Sequence, residues 1–224
     1  MVRRLTLAQR SLPNYCRGEE IMNMVTHIVG AGIGLIILIL CVCKSAIRSN
    51  VCGIIGASVY GASMVALYTV SSIYHGLYPS TGKKVMQVLD HCTIYLLIAG
   101  TYTPLMLCSF IPAHPVIGWG LLSMEWILAA VAATLTAIDL RAYRVFSMVC
   151  YICMGWGILP FLTLAVNILS VPGFLLLLYG GIAYTLGAIL FGIGTKIQWI
   201  HSVFHIFVVI GSILQFLSIF LYVL

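Results

Sequence analysis

His201 and His205 stand four residues apart at the start of the last long apolar run of the chain. On a helix that spacing stacks both imidazoles on one face, about 6 Å apart along the axis, where they can share a metal ion. Few other groups in so apolar a sequence are equipped for chemistry, and those few fall at matching depths. His75 closes the second apolar run, Asp90 opens the third, and the histidine pair opens the seventh. Alternation of the runs brings all four to one membrane face. Ser71 lies one turn before His75 on the same helix face, and His27 lies at the same end of the first run. His114 falls in a loop at the opposite face, which excludes it from a shared site.

A catalytic zinc typically keeps three protein ligands and one open position, and His75, His201 and His205 supply three. Ionisable groups inside a membrane are costly unless they face a cavity, pair with one another or bind metal, so several at one depth point to a site. The competing reading is a set of interfacial histidines making ordinary hydrogen bonds between helices. A zincin-type protease is not expected, because Ser202 stands where the H-E-x-x-H motif has its general base. Asp90 is the only carboxylate expected at the right depth to take a proton from an activated water. A structural hydrogen bond, or a salt bridge to Lys83 or Lys84, is its other role, and spacing alone leaves both open.

The elements that carry these residues follow from composition. Hydrophobic residues make up 62% of the 224 positions and charged residues 7%, and apolar stretches of about 20 residues recur along the chain, each long enough to span a bilayer as a helix. The expected fold is an all-α polytopic membrane protein, because a helix satisfies its own backbone hydrogen bonds in lipid. The alternating pattern of a β-barrel is absent. Seven spans are expected, at about Met24 to Cys43, Val51 to His75, Val88 to Cys108, Val116 to Ile138, Val145 to Val166, Pro172 to Gly194 and Trp199 to Val223. Residues 1–23 form an N-terminal segment and residues 24–224 a single seven-helix domain.

Arg3, Arg4, Arg10, Arg17, Lys83, Lys84, Arg141, Arg144 and Lys196 fall on the side of the N-terminus, and Lys44 and Arg48 on the other. The positive-inside rule therefore predicts a cytoplasmic N-terminus and, with an odd number of spans, an outside C-terminus. Anionic lipid facing these loops accounts for the net charge of +6, so no nucleic-acid partner is implied. The long polar leader, without a small-residue cleavage site after the first apolar run, argues against a cleaved signal peptide. Six of the eight cysteines, including the C-x-x-C pair Cys150 and Cys153, lie within or at the edges of spans, where they act as small apolar residues.

The motifs Glu20, Asn23 and His27 in EEIMNMVTH, Ser71 and His75 in SSIYH, Asp90 in LDHCTIYLLIAGTYTP, and HSVFH near the end resemble the bacterial hemolysin III family. That family is a branch of the progestin and adipoQ receptor superfamily, which also holds the adiponectin receptors. The resemblance runs from about Glu19 to Leu224, with the motifs in the family's order. It implies seven helices, a cytoplasmic N-terminus and a multi-pass protein of the bacterial plasma membrane. It also implies zinc held by His75, His201 and His205 near the cytoplasmic face, with Asp90 contacting the metal's water and Ser71 supporting the site.

Glu20, Asn23 and His27 share one stripe of the first helix at i, i+3 and i+7. They either brace the zinc site from behind its ligands or form a polar helix start at the membrane surface. Glu125 stands mid-span in the half of the membrane away from the histidines and is not assigned to the site. Pro104 and Pro160 interrupt spans and are expected to kink them. Gly30, Gly32, Gly34, Gly180, Gly181 and Gly187 are expected to let helices approach closely.

Two function classes follow, with membrane lipids as the partner in each. One is a zinc-dependent hydrolase of a lipid-like amide or ester, with Asp90 handling the proton. The superfamily's grouping with alkaline ceramidases suggests that class of substrate. The other is a receptor or sensor of membrane lipid homeostasis or fluidity, in which a structural zinc pins the second, third and seventh helices. Pore formation, as the family name suggests, ranks last because no amphipathic pore-lining segment is present. Substrate identity and oligomeric state are not written in the sequence.

Overall fold

The computed structural model describes residues 10–194 and 197–224, and every regular element among them is helical. The longer helices are α1 (Arg17–Ile47), α2 (Val51–Gly76), α3 (Thr81–Leu105), α4 (Pro115–Ile138), α5 (Arg144–Gly155), α6 (Leu162–Gly194) and α7 (Ile200–Tyr222), with a single further turn at Ile111–Ala113. Among the described residues, six stretches are long and apolar enough to cross a membrane, one of them the 51-residue Arg144–Gly194.

Short polar turns set the helix starts. The Asn50 side chain accepts from the Gly53 N–H at 2.8 Å and the Ser80 hydroxyl from the Lys83 N–H at 3.1 Å, each satisfying a backbone donor that the first turn leaves free. At α1 the Cys16 N–H donates to Glu19 Oε2 (2.9 Å) while Cys16 Sγ accepts from the Glu19 N–H (3.5 Å), a capping box. This cap starts α1 at Arg17, well before the apolar run that begins at Met24, and so carries Glu20 and Asn23 on the helix.

Both expected interruptions are present, and each has a local cause. Pro104 withholds a backbone donor, and the helix widens into a π-turn over Met106–Phe110 directly after it. The segment expected as one span from Val145 to Val166 is not a single helix: α5 stops at Gly155, and Pro160 sits in a tight one-turn helix over Leu159–Phe161. A further break lies at Ser170, where φ is 61° and ψ 164°, inside α6. The arms on either side of it lie together, because Trp156 Nε1 donates to Thr185 Oγ1 at 3.0 Å.

Packing is inverted relative to a protein in water. Large apolar side chains face outward along α1, as at Ile28, Val29, Ile36 and Ile39, while Asn23, His27 and Ser45 on the same helix are buried. Lipid is as apolar as leucine, so such helices associate through small residues and polar contacts. A Cβ at Gly56 would stand 2.7 Å from the Pro104 Cα, and one at Gly30 2.7 Å from the Tyr68 ring, so both glycines are required for helix contact. Gly34 meets Met64, Gly180 meets Gln215 and Gly187 meets Phe204, whereas Gly32 faces open space and takes no part.

Polar contacts also fix which helix ends share a face. At one end Arg10 donates to the Ile138 carbonyl (3.0 Å) and the Trp199 N–H to Glu19 Oε1 (2.6 Å). At the other end Lys44 donates to the Phe220 carbonyl and Arg48 to that of Leu224. Arg10, Arg17, Lys83, Arg141 and Arg144 thus gather at the end opposite Lys44 and Arg48, while Arg3, Arg4 and Lys196 lie outside the described residues.

Candidate metal centre

Two devices bring α7 into register with α1. Trp199, the residue before α7, has a φ of 67°, a conformation that costs a bulky side chain energy and persists only where its surroundings demand it. Its N–H is taken by Glu19, and its indole packs against Gly18, where a Cβ would stand 3.0 Å from the ring. The first turn of α1 therefore holds the start of α7, which carries His201 and His205.

His75, His201 and His205 are all buried, and one nitrogen from each lies within 4.8 Å of the other two. The His201 and His205 Nε2 atoms face each other at 3.1 Å. Two nitrogens sharing a tetrahedral zinc are about 3.3 Å apart, given bonds of about 2.05 Å. No other trio of His, Cys, Asp or Glu among the described residues has donors that converge in this way.

The third histidine, His75, is oriented by residues on two further helices. Glu20 Oε2 lies 2.6 Å from His75 Nδ1, and Lys83 donates to Glu20 Oε1 at 2.7 Å and to the Leu77 carbonyl at 2.9 Å. Asn23 Nδ2 is 3.5 Å from the same His75 nitrogen, so the closer carboxylate takes its proton. With the proton on Nδ1, the lone pair is on Nε2, which is buried without a hydrogen-bond partner. A carboxylate behind a histidine is the usual support of a metal ligand, fixing its tautomer and raising its basicity. The donor set therefore fits a zinc ion. Replacing Glu20 with Gln is expected to weaken zinc affinity about 10- to 100-fold while the fold survives, as a competition titration with a chelating dye would read.

The other expected residues divide between the site and its walls. His27 stacks on His205, ring centroids 3.8 Å apart, and has both ring nitrogens buried without partners. Ser71 is buried and lines the cavity beside the histidines. Asp90 is half-buried, stands outside the group of converging donors, and lines both of the cavities that meet at His201. The amine of Lys83 is engaged by Glu20 and Leu77. His114 and Glu125 are not at the site.

The first cavity is an apolar tunnel running from the histidines past Thr101, Leu177 and Tyr184 to Tyr102 and Ile158. The second is more polar and is walled by Ser11, Tyr15, Gln87, Arg141 and Arg144. His201, Asp90 and His91 belong to both. The site thus stands where an apolar tunnel opens into a polar vestibule.

Tyr15 and Glu19 belong to this site although spacing alone did not single them out, and Lys83, weighed in the sequence as a partner of Asp90, pairs with Glu20. Tyr15 stacks on His201 with centroids 4.8 Å apart. Burial and then the neighbouring Glu20 carboxylate push its phenol above the ordinary range, so it stays neutral. The C-x-x-E pattern from Cys16 to Glu19 was the available signal for the helix start; nothing local marks Tyr15 or Lys83.

The Haemolysin-III related family matches residues 16–216. Hemolysin-3 of Bacillus cereus is 37% identical over 92% of this chain and 92% of its own. The Hemolysin-3 homolog of Bacillus subtilis (strain 168) is 33% identical over 91% of this chain and 94% of its own. The human Monocyte to macrophage differentiation factor is more distant, at 27% identity over 75% of this chain and 70% of its own. No solved structure matches the chain. The apolar helices and the matched length agree that this integral, multi-pass membrane protein belongs to the haemolysin-III-related family.

Proposed function

We propose that the protein is a zinc-dependent hydrolase of a lipid-like amide or ester, crossing the membrane seven times with a cytoplasmic N-terminus. The count of seven rests on Arg144–Gly194, whose 51 residues far exceed the 20 or so that one crossing needs and whose arms lie side by side about Ser170. The orientation rests on the excess of Lys and Arg at the histidine end.

One observation carries the chemical reading: three buried histidines converge where an apolar tunnel meets a polar vestibule, with the His75 lone pair directed inward by Glu20. His75, His201 and His205 would hold the ion. When bound, zinc polarises a carbonyl and acidifies water. The chain supplies the rest. The tunnel takes an acyl chain and excludes water from it, leaving the scissile carbonyl at the junction and the polar portion in the vestibule. Asp90, on the wall shared by both cavities, accepts the proton of the attacking water and returns it to the leaving group. Glu20 and Lys83 keep the His75 tautomer constant, while His27 and Ser71 hold the ligand rings from the side.

The test is fatty-acid release from long-chain and short-chain N-acyl and O-acyl substrates by the purified, zinc-loaded protein. Release is expected to favour the long chains, because only these fill the tunnel. No release from any of them, with zinc retained, would overturn the hydrolase reading and leave the ion as a brace between α2 and α7.

A further inference from the structure

Glu125 has no part in the chemistry above. It lies near the middle of α4, is 0% exposed, and has no hydrogen-bond partner on either carboxylate oxygen. An isolated carboxylate at membrane depth is tolerated only if something neutralises it. No charged side chain faces it among the described residues. The titratable group within its electrostatic reach is the Tyr102 phenol on α3. Gly157, just after α5, packs on it and carries no ionisable side chain.

What does face Glu125 is backbone. α5 ends at Gly155 and Pro160 has no N–H with which to continue the ladder, so the carbonyls of Met154, Trp156 and Ile158 accept short-range bonds from the Gly157, Leu159 and Phe161 N–H groups instead of regular helical ones, each keeping a second lone pair. The Tyr102 hydroxyl accepts from the Ile158 N–H at 3.1 Å and donates to the Gly155 carbonyl at 3.4 Å. A Cβ at Gly157 would stand 2.8 Å from Glu125 Oε1 and 3.3 Å from the Met154 carbonyl oxygen, so both oxygens border the bare face of this glycine. Unwound carbonyls beside a buried carboxylate are how discontinuous membrane helices hold small cations.

We propose that Glu125 and the unwound turn from Met154 to Ile158 form a binding site for a small monovalent cation, a proton or Na+. The donor set is all oxygen, as such ions require. The site is distinct from the histidine cluster, because Tyr102 lies about three turns, roughly 18 Å, beyond Asp90 along α3. Cation occupancy neutralises the carboxylate and ties α4 to the break after α5, which also forms part of the far wall of the tunnel.

The experiment compares thermal unfolding of wild type, Glu125→Gln and Gly157→Ala in detergent, at mildly acidic and alkaline pH, in NaCl or choline chloride. If the occupant is Na+, NaCl raises the wild-type Tm by several degrees at alkaline pH where choline does not. If it is a proton, acid alone does so, and wild type shows an infrared C=O band of a protonated carboxylic acid that Glu125→Gln lacks. Glu125→Gln responds to neither and keeps its zinc, while Gly157→Ala needs more Na+ or lower pH for the same shift. Equal pH and Na+ responses in wild type and Glu125→Gln, with no difference in the infrared band, overturn the proposal. If Glu125→Gln does not fold, a Gly157→Ala response identical to wild type overturns it.

Discussion

Purified without chelators, the wild-type protein is expected to carry about one zinc per chain, and His205→Ala to carry almost none, as elemental mass spectrometry would measure. Removing His205 leaves two imidazoles, and a site reduced to two protein ligands gives up the arrangement that structural and catalytic zinc centres share. Burial sharpens the loss: His205 is 1% exposed, and His27, whose ring stacks on it, stands outside the group of converging donors. Since His75 is on α2 and the pair is on α7, the same variant is also expected to unfold at a lower temperature, and zinc is expected to raise Tm only in wild type. Wild-type zinc content in His205→Ala would remove His205 from the ligand set. Absence of zinc from wild type after resupply would remove the centre altogether.

The three converging histidines were legible in the sequence because each marks a depth. An H-x-x-x-H pair at the start of one apolar run, and a histidine closing another, need only the alternation of spans to bring them together, and the structure places His75, His201 and His205 within a few ångströms. The stripe of Glu20, Asn23 and His27 was legible as a helix face, but its orientation was not. That the Glu20 carboxylate reaches His75, with Lys83 behind it, depends on how α1, α2 and α3 rotate about their axes, and small residues such as Gly30 and Gly56 set that rotation. Tyr15 was hidden for a different reason: it precedes α1 in an irregular segment, where no periodicity assigns a face. Apolar periodicity also passes straight through Ser170 and Gly155, because lipid-facing residues read alike on a straight helix and on a broken one. Pro160 hinted at the second break, while the positive φ of Ser170 has no counterpart in residue type.

Replacing Asp90 with Asn is expected to leave zinc content unchanged and to lower turnover of a long-chain acyl substrate about 10²- to 10⁴-fold, the usual cost of losing a general base. The two expectations separate the roles this carboxylate can have. Asp90 stands outside the converging donors, so a role as ligand predicts zinc loss, and a role as proton acceptor predicts none. Asn matches the shape of Asp and keeps an acceptor oxygen, so a purely structural hydrogen bond would survive the change and activity with it. The tunnel and the vestibule meet beside this residue and His201, and under the proposed reading the acyl chain would lie in the tunnel, away from the altered atom. The loss should accordingly appear in kcat, with KM nearly constant. Full activity in Asp90→Asn with one zinc per chain would sink Asp90 as the base and move the search to the vestibule wall, where Glu19 is the remaining carboxylate.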